Sequence, residues 1–319
     1  MRFASIAHFG KEHIKQLPKN WQVNNLIISP QYNINGTKGF GVGIKISPKE
    51  IMKLPREEVR NKILEAALYA QNELGVELIQ LGALTTSVTK GGIWLTEQKE
   101  YSGYVNHGDS YTAAIACHSV KKAIKSRGLE SSKLNLAIIG AYGIIGEALS
   151  KILVPDFNHT LLIGRRMDGF KKLKNKINGN FEITTNINTN DSDVIITATN
   201  HINALLKDEH LKKKAIVIDV SQPPNLSNDV CLLRPDILRV DGGYVNFPKK
   251  YNISLPGMPK GKLFSCIVEA IMQAKENEKK NHVGSINIKH LKKTEIWGQK
   301  YGFILTDLTN FGEKIKYGK

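Results

Sequence analysis

Leu134-Asn135-Leu136-Ala137-Ile138-Ile139-Gly140-Ala141-Tyr142-Gly143-Ile144-Ile145-Gly146 joins an apolar run, long enough for one buried strand, to three glycines spaced G-x-x-G-x-x-G. Residues 147–153 then read as a helix. Strand, glycine turn and helix start together form a dinucleotide pyrophosphate site. The glycines let the backbone turn tightly and approach the phosphates, and unpaired N–H groups at the positive helix end meet the anion. Glycine spacing alone can serve packing, but here the flanking strand, the helix and the βαβ pattern that follows all agree with binding. The seven residues from Gly140 to Gly146 are the expected cradle.

The next apolar run, His159-Thr160-Leu161-Leu162-Ile163-Gly164, bears on which dinucleotide is bound. An NAD site usually ends this strand in Asp or Glu, which accepts from the ribose 2′-hydroxyl. This chain has Gly164-Arg165-Arg166, with no carboxylate at the strand end. Two guanidinium groups suit a 2′-phosphate, so NADPH is the expected cofactor.

Around this segment the pattern is alternating βα, with strands expected at 134–139, 160–164, 181–184, 193–197, 215–219 and 237–241 and helices between most of them. Six strands so spaced predict an α/β fold with a central doubly wound, Rossmann-like parallel sheet. Ligands then sit beyond the carboxyl ends of the strands, where Thr197, Ala198, Thr199 and Val220 are the further candidates for cofactor contact. An N-terminal α/β substrate domain over 1–130 precedes the NADPH domain at 131–247, and a mainly helical segment, 248–319, follows. Within the first domain a hairpin is expected over 22–48, a helix from Arg56 closed by Gly75, a strand over 76–81, and a helix over 112–125 capped by Asp109 or Ser110.

Composition sets the outer bounds. Of 319 residues, 41% are hydrophobic and 23% charged, as in a globular domain protein. No apolar run approaches the length of a membrane span, and the N-terminus lacks a secretory pattern. Cys117, Cys231 and Cys266 lie far apart with no C-x-x-C pair, which speaks against a disulfide framework or structural zinc. No metal is expected, and the cytoplasm is the expected compartment. The net charge of +16 suits either a solvated lysine surface or an acidic partner, including an anionic membrane face. Basic patches interleaved with aromatics are missing, so nucleic acid is not the expected partner.

The third cysteine is the candidate nucleophile. After the loop 256–261, Leu263, Ile267, Ala270, Ile271 and Ala274 make a helical apolar stripe, which puts Cys266 in a first turn. There the helix dipole and the neighbouring Lys260 and Lys262 would favour the thiolate, although the same spacing also suits a core residue.

Several segments resemble the cyanobacterial-type long-chain acyl-[acyl-carrier-protein] reductases. They are Phe3-Ala4-Ser5-Ile6-Ala7-His8, Leu81-Gly82-Ala83-Leu84-Thr85-Thr86, Gly108-Asp109-Ser110-Tyr111-Thr112-Ala113, the glycine turn itself, and above all Leu263-Phe264-Ser265-Cys266-Ile267-Val268-Glu269-Ala270. The resemblance implies NADPH-dependent reduction of a fatty acyl thioester, carried by acyl carrier protein or coenzyme A, to an aldehyde. It also implies that Cys266 takes the acyl group. Thr112, Ser110 or backbone N–H groups at that helix start are candidate oxyanion donors. The chain departs from the family at Tyr111, where a histidine is expected, with His107 four residues earlier. Three other readings stay open. A shikimate- or methylenetetrahydrofolate-type NADP dehydrogenase needs a Lys–Asp pair or its equivalent in the first third, and no convincing one is evident. Glutamyl-tRNA reductase needs an N-terminal cysteine, and none precedes Cys117. A non-catalytic NADPH-binding regulatory module would keep the glycine turn but not need Cys266.

Overall fold

The computed structural model describes residues 1–248, 251 and 258–316. Its contacts divide the chain into two units: Met1–Tyr111 with Phe247–Ser285 and Lys293–Phe303, and Thr112–Asn246 with Ile286–Lys292 and Ile304–Lys319. The segment after residue 247 is thus shared between the units instead of standing alone. Pro256 and Gly257, which open the expected loop, lie outside the described residues.

The first unit is built on one mixed sheet of β1 (Phe3–His8), β2 (Gln22–Val23), β3 (Leu26–Ile28), β4 (Tyr32–Ile34), β5 (Thr37–Ile44), β6 (Leu78–Leu81) and β7 (Tyr104–Asn106). Its order is β2-β3-β5-β1-β6-β7, with β4 also on β5. Strands β5, β1, β6 and β7 run parallel, while β3 and β4 return antiparallel to β5. The expected hairpin is therefore two antiparallel pairings on one long strand. Asn35 and Gly36, with φ of 50° and 85°, make the two-residue turn between Ile34 and Thr37. The helix Arg56–Leu74 buries Val59, Ile63, Ala66, Ala67 and Ala70, the apolar face read from its spacing. A second helix, Ser265–Lys275, lies across β1, β5 and β6.

The second unit holds all six predicted strands: β8 (Asn135–Ile139), β9 (His159–Ile163), β10 (Phe181–Thr184), β11 (Val194–Thr197), β12 (Ile216–Asp219) and β13 (Leu238–Asp241). Every pairing is parallel and the order is β10-β9-β8-β11-β12-β13. The chain runs outward one way from β8, then crosses back and continues from β11. The switch point, where such sheets bind ligands, lies between β8 and β11. Ala137, Ile139, Ile163, Ile195 and Val217 fill the core beneath.

The connections hold less helix than expected. Ile144–Leu153 and Asn228–Leu233 are α-helical, but β9 and β10 are joined by short 3₁₀ turns, and Asp208–His210 is another. The stretch 171–180, KKLKNKINGN, is rich in asparagine and glycine, which disfavour a helix interior. Among the described residues no helix is long and apolar enough to cross a membrane.

Candidate active site

The glycine turn has the shape a pyrophosphate needs. Gly140, directly after β8, sits at φ +88°, and a side-chain carbon on it would stand 2.9 Å from the Ala198 carbonyl carbon at the end of β11. Gly143 is the N-cap of the Ile144–Leu153 helix and brings no side chain to cap it. The first-turn N–H groups, from Ile144 through Gly146, have no intrahelical acceptor and are left for an anion. Gly146 lets this helix close onto the turn: a side-chain carbon there would stand 2.8 Å from the Gly140 carbonyl carbon. Ala141 is buried beneath the turn. A dinucleotide pyrophosphate fits this cradle.

Tyr142 turns outward along the end of β9. Its ring packs edge-on to Phe170, with centroids 5.1 Å apart, and its hydroxyl accepts from the Arg166 N–H at 3.0 Å. Arg165 and Arg166 are both exposed. Arg166 is also 3.5 Å from the Asp168 carboxylate, so the arginine pair has an acidic neighbour that the strand-end reading overlooked.

The other strand ends are partly committed to structure. The Thr197 hydroxyl is buried and donates to Asp219 at 2.6 Å, so its side chain serves the core. The Thr199 hydroxyl donates to Asn225 at 2.6 Å. The Val220 N–H donates to the Thr197 carbonyl at 2.9 Å, and its half-buried side chain is left at the strand end. Asp219 belongs to a buried ion network. Arg239 donates to Asp219 at 3.2 Å and to Asp241 at 2.7 Å, and Asp241 also accepts from the Thr309 hydroxyl and the Gly312 N–H, each at 2.8 Å. Cys231 lies within the field of Arg239 and Asp219. Its thiol is nevertheless pushed up, chiefly by burial.

Cys266 is the second residue of the Ser265–Lys275 helix, as the spacing predicted, and is partly exposed. The expected thiolate is not what the structure supports. Burial and then the Asp109 carboxyl push the Cys266 thiol up to about 12. The helix start does act in the expected direction, through the N–H groups of Ile267 and Cys266, but it is outweighed. The charges that act on it are those of Asp109 and Glu269, and both raise it.

The loop after β7 holds the pocket together. Gly108, at φ +73°, brings its backbone against the cysteine, so that a side-chain carbon there would lie 2.5 Å from the Cys266 Cα. The long helix begins at Asp109 and not at Thr112, which makes Asp109 a first-turn residue. Ser110 and Thr112, the candidate oxyanion donors, are both buried. Tyr111, in the family's histidine position, donates its N–H to Glu269 at 2.7 Å and its hydroxyl to the Phe303 carbonyl. His107 is buried, with Nδ1 accepting the Asp109 N–H at 2.9 Å and lying 3.5 Å from the Asp109 carboxylate. Burial, then the like charge of Glu269, holds the Asp109 carboxyl well above the usual carboxylate range.

Below this lies a polar layer. Ser5, Gln80 and Asn106 are in register across β1, β6 and β7, and the Asn106 amide donates to Gln273 at 2.7 Å. Glu269 and Gln273 thus mark a polar line on a helix face otherwise apolar. Glu269, three residues after Cys266 and outside the predicted apolar stripe, is the readable signal for it. His107 and Asp109 needed the fold to bring them in.

Residues 121–240 match the family model for shikimate / quinate 5-dehydrogenase. The aminotransferase PigE of Serratia sp. is 24% identical over 257 residues, 76% of this chain but only 30% of that protein's length. The long-chain acyl-[acyl-carrier-protein] reductase of Synechococcus elongatus is 23% identical over 262 residues, 76% of this chain and 75% of that one. Among solved structures, L-tryptophan dehydrogenase from Nostoc punctiforme covers 85% of this chain and 70% of its own at a TM-score of 0.44 and 14% identity. Shikimate 5-dehydrogenase from Listeria monocytogenes covers 92% and 96% at a TM-score of 0.38 and 10% identity. The family match contains the glycine turn and most of the six-stranded sheet. With the geometry of that turn, the match supports a dinucleotide-binding unit of the dehydrogenase type over residues 121–240.

Proposed function

We propose that the chain reduces a fatty acyl thioester, carried by acyl carrier protein or coenzyme A, to an aldehyde through an acyl group held on Cys266, with NADPH as reductant. The observation that carries this reading is Cys266 in a helix first turn, with Gly108 packed against its backbone and the Asp109 carboxyl close enough to act on its thiol. The likeness to the Synechococcus reductase supports it, because it extends over 76% of this chain. Arg165 and Arg166 support NADPH over NADH.

Cys266 attacks the thioester carbonyl; its bond to the acyl carbon forms as the carrier's sulfur leaves. The thiol is neutral at rest, so its proton must depart during attack, and it ends on the carrier's thiol. Asp109 is placed to relay that proton. The residues from Gly140 to Gly146 would hold the dinucleotide, whose reduced nicotinamide would supply the hydride. With one proton taken from solvent, that reduction would release aldehyde and return the Cys266 thiol. Incubation with an acyl thioester and no NADPH should add one acyl mass to Cys266. Cys266→Ser should keep NADPH binding and lose aldehyde formation by several orders of magnitude, since an alkoxide is far harder to form. Near-native aldehyde production by that variant would exclude the covalent route.

The family match favours a second reading, a shikimate-type dehydrogenase acting on a hydroxy acid, and backs it more directly than thioester chemistry. That match begins at 121, so it covers neither Asp109 nor Cys266. Dehydrogenation of a hydroxy acid with NADP⁺ that survives Cys266→Ser would establish it.

A further inference from the structure

We infer that the outer face of the Ile288–Tyr301 helix is a docking surface for an acidic helix of the protein that carries the acyl group, an inference that rests on the thioester reading above. Lys289, Lys292, Lys293, Ile296 and Lys300 are all exposed, whereas His290, Leu291, Thr294 and Trp297 are buried. At 3.6 residues per turn the exposed set falls within an arc of about 100° and runs about 16 Å along the axis. Lys293 is braced by Glu278 at 3.0 Å and Lys300 by Glu276 at 2.6 Å. Among the described residues no ion pair engages Lys289 or Lys292, so the strongest positive potential lies along the first half of the row.

The centre of this row is apolar. Ile296 is 67% exposed, flanked by lysines a turn away on either side. A surface serving solubility alone gains nothing from an isoleucine there. A phosphate group would need converging cations and makes no use of an apolar contact. An amphipathic helix with carboxylates spaced at i and i+4 around one apolar residue meets both demands, because its charges follow the lysines and its apolar residue covers Ile296.

The test uses Lys289→Glu/Lys292→Glu and, separately, Ile296→Ser, each checked against the native melting temperature, with Lys292→Gln held for use if the double variant fails to fold. Substrates are one acyl chain on acyl carrier protein, on coenzyme A and on pantetheine. For the carrier-protein substrate, KM should rise tenfold or more in the double variant, with kcat unchanged; turnover of acyl-pantetheine should stay native. Equal losses on all three substrates, a loss on coenzyme A matching that on the carrier protein, or no loss at all would overturn the inference. Holo-acyl carrier protein is also titrated without NADPH, by fluorescence anisotropy. Lysine-dependent binding by a protein that reduces no thioester would leave the docking face standing and remove the thioester reading. Reduction of the carrier-bound substrate that is indifferent to these variants would do the reverse. Sedimentation with anionic vesicles that the double variant abolishes, while it still binds the carrier normally, would make this a membrane face and overturn the inference.

Discussion

Gly146 packs so tightly beneath Gly140 that a methyl side chain on it would stand 2.8 Å from the Gly140 carbonyl carbon. Backbone is on the receiving side, so no side chain can swing away to relieve the clash. Gly146→Ala should therefore cost about 1–3 kcal/mol of stability through overpacking and weaken NADPH binding at least tenfold. Chemical denaturation and a fluorescence titration check both, and native values in the two would remove the helix-closing role assigned to Gly146.

Gly108→Ala tests the other half of the site. It places a side chain at φ +73° against the Cys266 backbone. The expected outcome is slower acylation of Cys266, by tenfold or more, with NADPH affinity unchanged, because the glycine turn belongs to the other unit. Loss of cofactor binding in this variant would show that its damage is general.

Asp109 makes stability depend on pH in a specified direction. Its carboxyl sits above the unfolded value in the folded state, so the native protein holds a proton that the unfolded chain releases. That contribution is complete below the unfolded pKa of about 3.9 and is lost as pH rises through the folded pKa, at about 1.4 kcal/mol for each unit separating the two. Asp109→Asn should therefore raise stability more at pH 8 than at pH 4, measured by urea unfolding at both. Equal shifts would mean that Asp109 is not held protonated.

The same carboxyl opposes the thiolate of Cys266. Alkylation of Cys266 by iodoacetamide should keep rising with pH beyond pH 9 and should be faster at pH 9 in Asp109→Asn, because removing the negative charge lowers the thiol pKa. Mapped alkylation rates decide it; a plateau near pH 8 in the native protein would contradict the raised thiol.

Arg165→Ala with Arg166→Ala should weaken NADPH tenfold to a hundredfold and leave NADH nearly unchanged, since a hydrogen bond to a charged group contributes about 1.5–3 kcal/mol. Isothermal titration with both cofactors measures the split. Parallel losses would mean that the arginines shape the loop and do not select the phosphate.

Much of this fold can be read directly from local pattern. The inner strands β8, β11 and β12 of the parallel sheet are short, mostly apolar runs buried on both faces, and such runs stand out wherever polar loops separate them. The glycine turn was equally legible, since steric demand at Gly140 and Gly146 leaves a sequence mark. The cysteine pocket was not. Asp109 looked like a cap and Tyr111 like a lost histidine, and only pairing across 158 residues, from the Tyr111 N–H to Glu269, shows what that loop holds. The protonation of Cys266 was misread for a related reason: helix position and nearby lysines are visible in sequence, whereas the facing carboxyls and burial come from the fold.

The network around Arg239 bears on how the molecule is completed. Asp241 takes hydrogen bonds from Thr309 and Gly312, so the cofactor unit is completed by chain that lies beyond the whole segment bearing Cys266. The backbone passes from one unit to the other after residues 111, 246, 285, 292 and 303. Neither unit is one continuous stretch of chain, so each is completed only when segments on both sides of the other have been made.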